Sequence, residues 1–120
     1  MEKTPQQILT EAADLLENGG WTWRQQFLQE GSSCKMCAHG AIAYCGDPTV
    51  KARVDAGDMR SSNFWDAMNA GMDLPVKWKP TPVNTAHFNA GKVGLTTYFN
   101  DRQSNKQPII AKLREAAQLQ

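Results

Sequence analysis

The residues best able to do chemistry are gathered in one short stretch of the chain. "CKMCAHGAIAYC", at 34–45, contains all three cysteines and one of the two histidines. Cys34 and Cys37 have the CxxC spacing of half a zinc site, and His39 and His87 could supply the remaining ligands. A CxxC at the start of a helix would also suit a redox pair, because the helix dipole lowers the pKa of a thiol.

Helical geometry favours a third interpretation of this stretch, which is packing. If residues 37–45 form a helix, Cys37 and Cys45 lie about 12 Å apart along its axis. One zinc ion with Zn–S bonds of about 2.3 Å cannot bind both. A cytosolic redox CxxC is also recognised by a surrounding βαβ pattern, which this sequence lacks. Free cysteine is commonly buried as a small hydrophobe. We therefore predict a structural helix with no metal or other cofactor, and keep a zinc or redox protein as an alternative.

Four other residues could form a small-ligand site. Trp21 and Trp23 could provide a stacking floor for a base or nucleotide. Asn100 and Asp101 could bind the polar part of the same ligand as an amide–carboxylate pair. Simpler roles exist for each, since tryptophan serves in cores and Asn-Asp serves in turns and caps.

The segment "VKWKP", at 76–80, could be a contact site for another macromolecule. Its prolines favour an extended chain, and tryptophan dominates the hot spots of protein interfaces. Trp78 could also contact a phosphate and a base together, and the simpler interpretation is that it folds back onto the core.

Recognisable catalytic motifs are missing from the sequence. Gly91 and Lys92 lack the upstream glycine of a phosphate-binding P-loop, and there is no Gly-x-Ser-x-Gly. His87 lies in a His-x-Asn that lacks the second histidine of a nuclease motif. We therefore expect a protein that is not an enzyme.

Two strong amphipathic helices frame the chain. The first begins with Thr4 as N-cap and Gln7 completing a capping box, and it ends at Asn18 and the glycines that follow. Its apolar face comprises Ile8, Leu9, Ala12, Ala13, Leu15 and Leu16. The last helix is predicted to be capped by Ser104 or Gln107. Its apolar face comprises Ile109, Ile110, Leu113, Ala116 and Ala117.

Shorter helices are predicted between these two. One covers about 37–46, a second runs from Asp47-Pro48 to Gly57, and a third runs from Ser62 or Asn63 to Gly71. Prolines at 75, 80 and 82 predict a long irregular segment at about 72–94. No clear strand pair is visible. The expected fold is mainly α, with 1–120 as a single compact helical domain.

The composition of the chain argues against some classes of partner and indicates a cellular compartment. The chain has 120 residues, of which 41% are hydrophobic and 21% charged, as in ordinary globular domains. Thirteen basic and twelve acidic residues give a formal charge of +1, which argues against general nucleic-acid binding. No apolar stretch approaches the roughly 20 residues that span a bilayer. An odd number of cysteines and no signal peptide indicate a cytoplasmic protein, either a monomer or a homodimer.

Three short motifs occur in a characteristic order. They are "GGWT" at 19–22, "CAHGA" at 37–41, and "YFNDRQSNKQPIIAKLREA" at 98–116. This order resembles a small family of uncharacterised proteins from actinobacteria and their phages, classed as a domain of unknown function. Phe99 stands where that family usually carries Trp, and Cys34 and 46–94 lie outside the pattern. The resemblance implies a helical fold and a phage or mobile-element setting, and it transfers no catalytic residue.

The leading hypothesis is a small accessory protein, encoded by a phage, that binds and modulates a host protein in the host cytoplasm. Its contacts would come from the aromatic-rich region at 73–99, Trp78 included. The alternative is a binder that sequesters a nucleotide-like small ligand between Trp21, Trp23, Asn100 and Asp101.

Overall fold

The structure is a computed structural model that describes residues 3–22, 27–30, 33–57 and 81–119, with backbone alone at 27–30, 33, 34 and 97. The fold is mainly α, as predicted. Its elements in chain order are α1 (Pro5–Asn18), β1 (Phe27–Glu30), β2 (Ser33–Met36), α2 (Ala38–Gly46), α3 (Pro48–Asp55), α4 (Pro82–Lys92), α5 (Thr97–Asp101) and α6 (Gln107–Ala117). Among the helices described, none is long and apolar enough to cross a membrane.

Helix α1 is the centre of the core. Its capping box forms as predicted, with Gln7 N donating to Thr4 Oγ1 at 3.1 Å and Thr4 N donating to Gln7 Oε1 at 2.8 Å. The buried side chains of α1 pack most extensively against α6, and also against α2 and α4. The α6 residues buried in this contact are Ile109, Ile110, Leu113 and Ala116.

The start of α6 differs from the prediction. Neither Ser104 nor Gln107 caps the helix, since Lys106 occupies the N-cap position and makes no side-chain cap bond. Asn105 Oδ1 instead accepts from Gln107 N at 2.9 Å. The side chain of Asn105 therefore satisfies the first N–H of α6 from the position before the N-cap.

The expectation of no strand pair is wrong. Strands β1 and β2 pair antiparallel, with Phe27 opposite Met36 and Glu30 opposite Ser33. Each strand has four residues, too few for alternating hydrophobicity to stand out in a sequence. The segment before β1 also forms backbone hydrogen bonds with the end of β2. Met36 N donates to Gly20 O and Met36 O accepts from Thr22 N, each at 3.1 Å.

The predicted irregular segment at about 72–94 is also wrong over most of its second half. Residues 82–92 form α4, whose N-cap Thr81 accepts a hydrogen bond from Asn84 N at 3.2 Å. Pro82 occupies the first helical position, where the missing N–H has no intrahelical acceptor in any case. The residues before 81, and the helix predicted between 62 and 71, lie outside the described part of the chain.

Helices α2 and α3 agree with the prediction, and α2 is continuous from Ala38 to Gly46. Cys37 caps α2, and Asp47 begins α3 by accepting from Thr49 N at 2.9 Å. At Gly46 an added Cβ would lie 2.9 Å from Val83 Cγ2. Glycine at this position therefore lets the start of α4 approach the end of α2.

Candidate functional site

The side chain of Asn100 joins three distant parts of the chain. It is 1% exposed, and its Oδ1 accepts from Trp21 Nε1 at 3.0 Å and from Ala38 N at 3.1 Å. Its Nδ2 donates to Thr22 O and to Asp101 Oδ1, both at 3.3 Å. Two accepted and two donated bonds use the full capacity of an amide. We call these five residues the Asn100 cluster.

Local sequence explains why Asn100 reaches this position. Thr96 begins α5 by accepting from Phe99 N at 3.1 Å, and the helix that follows has only five residues. Such a short helix is not stable alone and depends on tertiary contacts. The partner of α5 is the start of α2, whose first N–H groups lack intrahelical acceptors. Asn100 accepts from one of them, and Cys37 Sγ accepts from Gly40 N at 3.5 Å.

Burial suppresses the reactivity of the cysteine beside this cluster. Cys37 is 5% exposed, and desolvation raises its pKa from 9.0 to about 11 against the effect of backbone hydrogen bonds to the sulfur. Burial also raises the pKa of the half-buried Cys45 to about 11. Because the thiolate is the reactive form, both side chains are neutral and weakly nucleophilic near pH 7.

The two histidines of the chain face each other across α2 and α4. The ring centroids of His39 and His87 are 5.6 Å apart, with an interplanar angle of 62°. Burial lowers both pKa values, that of His87 to about 3, while a hydrogen bond to the Leu95 backbone and the charge of Asp101 partly oppose the shift at His39. His87 Nε2 is buried and has no hydrogen-bond partner in the structure as described.

Within the described ranges, no group of three or more His, Cys, Asp and Glu side chains is arranged to hold a metal ion. The backbone places Cys34 in β2 and Cys37 at the start of α2, but the Cys34 side chain lies outside the description. The zinc or redox alternative built on these two residues therefore stays a prediction.

A groove of about 470 Å³ lies at the other end of α2. The ends of four helices form it, which is why no local sequence signal indicates it. Lys3 Nζ donates to Cys45 O at 2.9 Å and contacts Glu11 at 3.1 Å. The remaining lining residues are Ile8, Tyr44, Gly46, Pro48, Lys51, Thr81, Pro82 and Val83.

Two large aromatic side chains are exposed on α4 and α5. Phe88 is 54% exposed and Tyr98 is 66% exposed. Each carries a cation one helical turn later: Lys92 Nζ lies 4.7 Å from the Phe88 ring centroid and Arg102 Cζ lies 3.9 Å from that of Tyr98. We call these four residues the α4–α5 surface. The i,i+4 spacings Phe-x-x-x-Lys and Tyr-x-x-x-Arg are the sequence signal that could have identified it.

Comparison with known proteins decides the family. The sequence pattern of a family of unknown function, DUF6197, matches residues 1–119. The chain belongs to DUF6197. Membership confirms the resemblance in its general form, a family of unknown function. No curated protein and no solved structure matches the chain.

Of the site residues predicted for this DUF6197 member, three come together and two lie outside the description. Trp21, Asn100 and Asp101 meet in the Asn100 cluster, whereas Trp23 and Trp78 lie outside the described residues. A ligand-binding role for these five residues stays a prediction. The geometry gives Asn100 internal partners at all four hydrogen-bonding sites, which the sequence does not show.

Proposed function

We propose that this DUF6197 protein acts by binding another protein and modulating it, and that the α4–α5 surface makes the contact. The observation that carries the proposal is the exposure of Phe88 and Tyr98, each beside a cation. Tyrosine and arginine are among the residues enriched in interface hot spots, and exposed aromatic rings gain free energy when a partner covers them.

The state of the other reactive groups supports binding over catalysis. The Cys37 thiol is buried and neutral, and burial also favours the neutral form of His87. A nucleophile or general base normally has a pKa near the working pH and access to a substrate.

The partner we propose is a protein of the host cell, with this chain encoded by a phage. This part of the proposal rests on the order of the three motifs rather than on any contact. A second copy of the chain is the competing partner, since an exposed aromatic surface also suits a homodimer.

A pull-down with matched variants tests the proposal. Wild-type protein should retain a specific partner from an actinobacterial lysate, and the double variant Phe88→Ala/Tyr98→Ala should lose it. The control Lys3→Ala/Lys51→Ala changes exposed residues at the groove and should retain the partner. Equal retention by the aromatic variant would overturn the proposal. Sedimentation of the pure protein separates a homodimer from a host partner.

The groove supports a second candidate function, small-ligand binding. Its volume falls in the range of roughly 300–1,000 Å³ that is typical of ligand sites. The rim ammonium groups of Lys3 and Lys51 already contact Glu11 and Asp55. The groove therefore fits an uncharged apolar molecule better than a nucleotide. A thermal-shift screen should find stabilising ligands that a Val83→Trp variant no longer binds.

A further inference from the structure

We infer that the α4–α5 surface takes an extended acidic segment of its partner, in which a carboxylate side chain lies two residues from an apolar one. This inference rests on the proposed protein-binding function and specifies the chemistry of the partner. It follows from the charge of the surface, from its rigidity and from the spacing of its side chains.

The charge of this surface is not compensated within the described part of the protein. Lys92 and Arg102 make no salt bridge with a described carboxylate. Four other cations do, and the pairs are Lys3–Glu11, Lys51–Asp55, Lys112–Glu115, and Arg114 with Asp14 and Glu17. Asp101 is the one acidic residue between 81 and 106, and it accepts a hydrogen bond from Asn100. A complementary partner must therefore bring its own carboxylates.

The surface is held in place before any partner binds. Leu95 N donates to Ala90 O at 2.9 Å and Gly94 has a positive φ, so α4 ends in a hydrogen-bonded turn, and α5 begins at Thr97 shortly after it. The hydrogen bonds of Asn100 then fix α5 to the start of α2 and to Thr22. A preformed surface loses less conformational entropy on binding than a flexible one.

The backbone spacing of each ring and its cation matches that of an extended chain. Phe88 and Lys92, like Tyr98 and Arg102, are four positions apart, which separates their backbone positions by about 6 Å along the helix axis. Residues i and i+2 of an extended chain point to the same side and lie about 6.6 Å apart. An apolar side chain at i can thus cover an aromatic ring while a carboxylate at i+2 contacts the cation. Arginine can bind such a carboxylate with two parallel hydrogen bonds.

A single-stranded nucleic acid fits this surface less well. Nucleic-acid grooves combine open aromatic faces for base stacking with cations that follow several phosphates. Here the surface supplies two cations, Lys92 and Arg102, which are too few to follow several phosphates. The chain as a whole has a formal charge of only +1. The observations therefore favour a peptide.

Fluorescence anisotropy with synthetic probes tests the inference. The probe is a labelled peptide of repeating Leu-Ser-Glu-Ser, compared with Leu-Ser-Lys-Ser and with a short oligothymidylate. We expect saturable binding of the acidic peptide at least about tenfold tighter than that of the other two. The variant Lys92→Glu/Arg102→Glu should reverse the preference and bind the lysine peptide. The control Arg53→Glu/Lys112→Glu changes the net charge equally elsewhere and should keep the wild-type preference.

Three results would overturn the inference: equal affinity for the two peptides, an unchanged preference in Lys92→Glu/Arg102→Glu, or tighter binding of the oligothymidylate. The pull-down separates this failure from failure of the proposed function. If the peptides fail while partner retention still needs Phe88 and Tyr98, only the acidic chemistry is wrong. If retention is also independent of both rings, the proposed function is wrong as well.

Discussion

The two faces of α5 differ in how far their side chains are exposed to solvent. Asn100 is 1% exposed and forms four hydrogen bonds inside the protein, whereas Tyr98, two residues earlier, is 66% exposed and contacts Arg102. The buried face joins α5 to the start of α2 and to the chain at 21–22. The exposed face presents an aromatic ring and a cation to solvent. A helix of five residues thus combines a structural contact with an exposed aromatic surface.

Because of this difference, substitutions on the buried face should affect stability and substitutions on the exposed face should affect binding. A buried amide with all its partners is costly to remove, because each partner left without a hydrogen bond keeps its desolvation penalty. An exposed ring beneath a cation contributes little to the free energy of folding, so it can contact a partner at little cost to stability. Changes in the Asn100 cluster should therefore lower the free energy of unfolding, and changes on the α4–α5 surface should alter binding much more than stability.

The largest effect is expected from Asn100→Ala. The change removes the hydrogen bonds that Asn100 makes with Trp21 Nε1, Ala38 N and Thr22 O, and it should lower the free energy of unfolding by about 3 kcal/mol or more. Urea titration followed by tryptophan fluorescence measures the loss. Asn18→Ala is the matched control, since the Asn18 amide is exposed and should change stability by no more than about 0.5 kcal/mol. A loss below about 1 kcal/mol for Asn100→Ala would show that the cluster is not what holds α5.

The second effect concerns the reactivity of the thiol next to the cluster. A pKa of about 11 in place of 9.0 lowers the thiolate fraction of Cys37 near pH 7 about 100-fold, and burial hinders the reagent further. Native iodoacetamide labelling with peptide mapping should give Cys37 a much lower rate than in the urea-unfolded chain. The half-buried Cys45 should react faster than Cys37 in the native protein. Equal native rates for the two would show that the start of α2 opens readily.

The third effect is acid sensitivity at the His39–His87 contact. Burial lowers the pKa of His87 from 6.5 to about 3, so over that range the unfolded chain binds a proton that the folded chain does not. The stability that depends on neutral His87 is complete above about pH 6.5 and is lost as the pH falls toward about 3. One such group contributes at most about 1.4 kcal/mol per pH unit.

Urea titrations between about pH 7 and pH 5 measure this slope while most carboxylates remain charged. His87→Leu should flatten the slope, and His39→Leu should flatten it as well, because the pKa of His39 is also lowered by burial. Asp101, whose charge raises the pKa of His39, is the facing carboxylate to vary as a control. A slope that persists unchanged in His87→Leu would place the acid-sensitive group elsewhere.

Local sequence signals predicted local structure well. Thr4 with Gln7 gave the capping box of α1, and Asp47 with Pro48 gave the start of α3, because each signal acts within one helical turn. The same reasoning fails at Pro82, because the prolines predict an irregular segment whereas Pro82 begins α4. Proline is unfavourable inside a helix and acceptable at its first position, so its effect depends on the cap before it.

The hydrogen bonds of the Asn100 cluster could not be predicted in this way. The sequence groups Trp21, Asn100 and Asp101 in one possible ligand site, but it does not indicate that Asn100 bonds directly to Trp21 and to Ala38, which are 79 and 62 residues away. No periodicity or capping pattern connects such distant residues. The exposure of a side chain is equally hard to predict from the sequence. Tyr98 and Phe99 are adjacent aromatic residues, and of the two only Phe99 packs against the core. Tertiary packing decides which of the two is buried.

The smallest effect is expected from Tyr98→Ala, and it tests the comparison most directly. An exposed cation–π contact contributes about 0.5–1 kcal/mol, so the free energy of unfolding should fall by no more than that. Phe99→Ala removes a neighbouring ring of similar size from the core and should cost at least about twice as much. If the two substitutions cost the same in urea titrations, the Tyr98 ring is a structural contact, and its exposure no longer supports partner binding. If Tyr98→Ala is nearly neutral yet loses the partner, α5 has one face that maintains the fold and one that is free to bind.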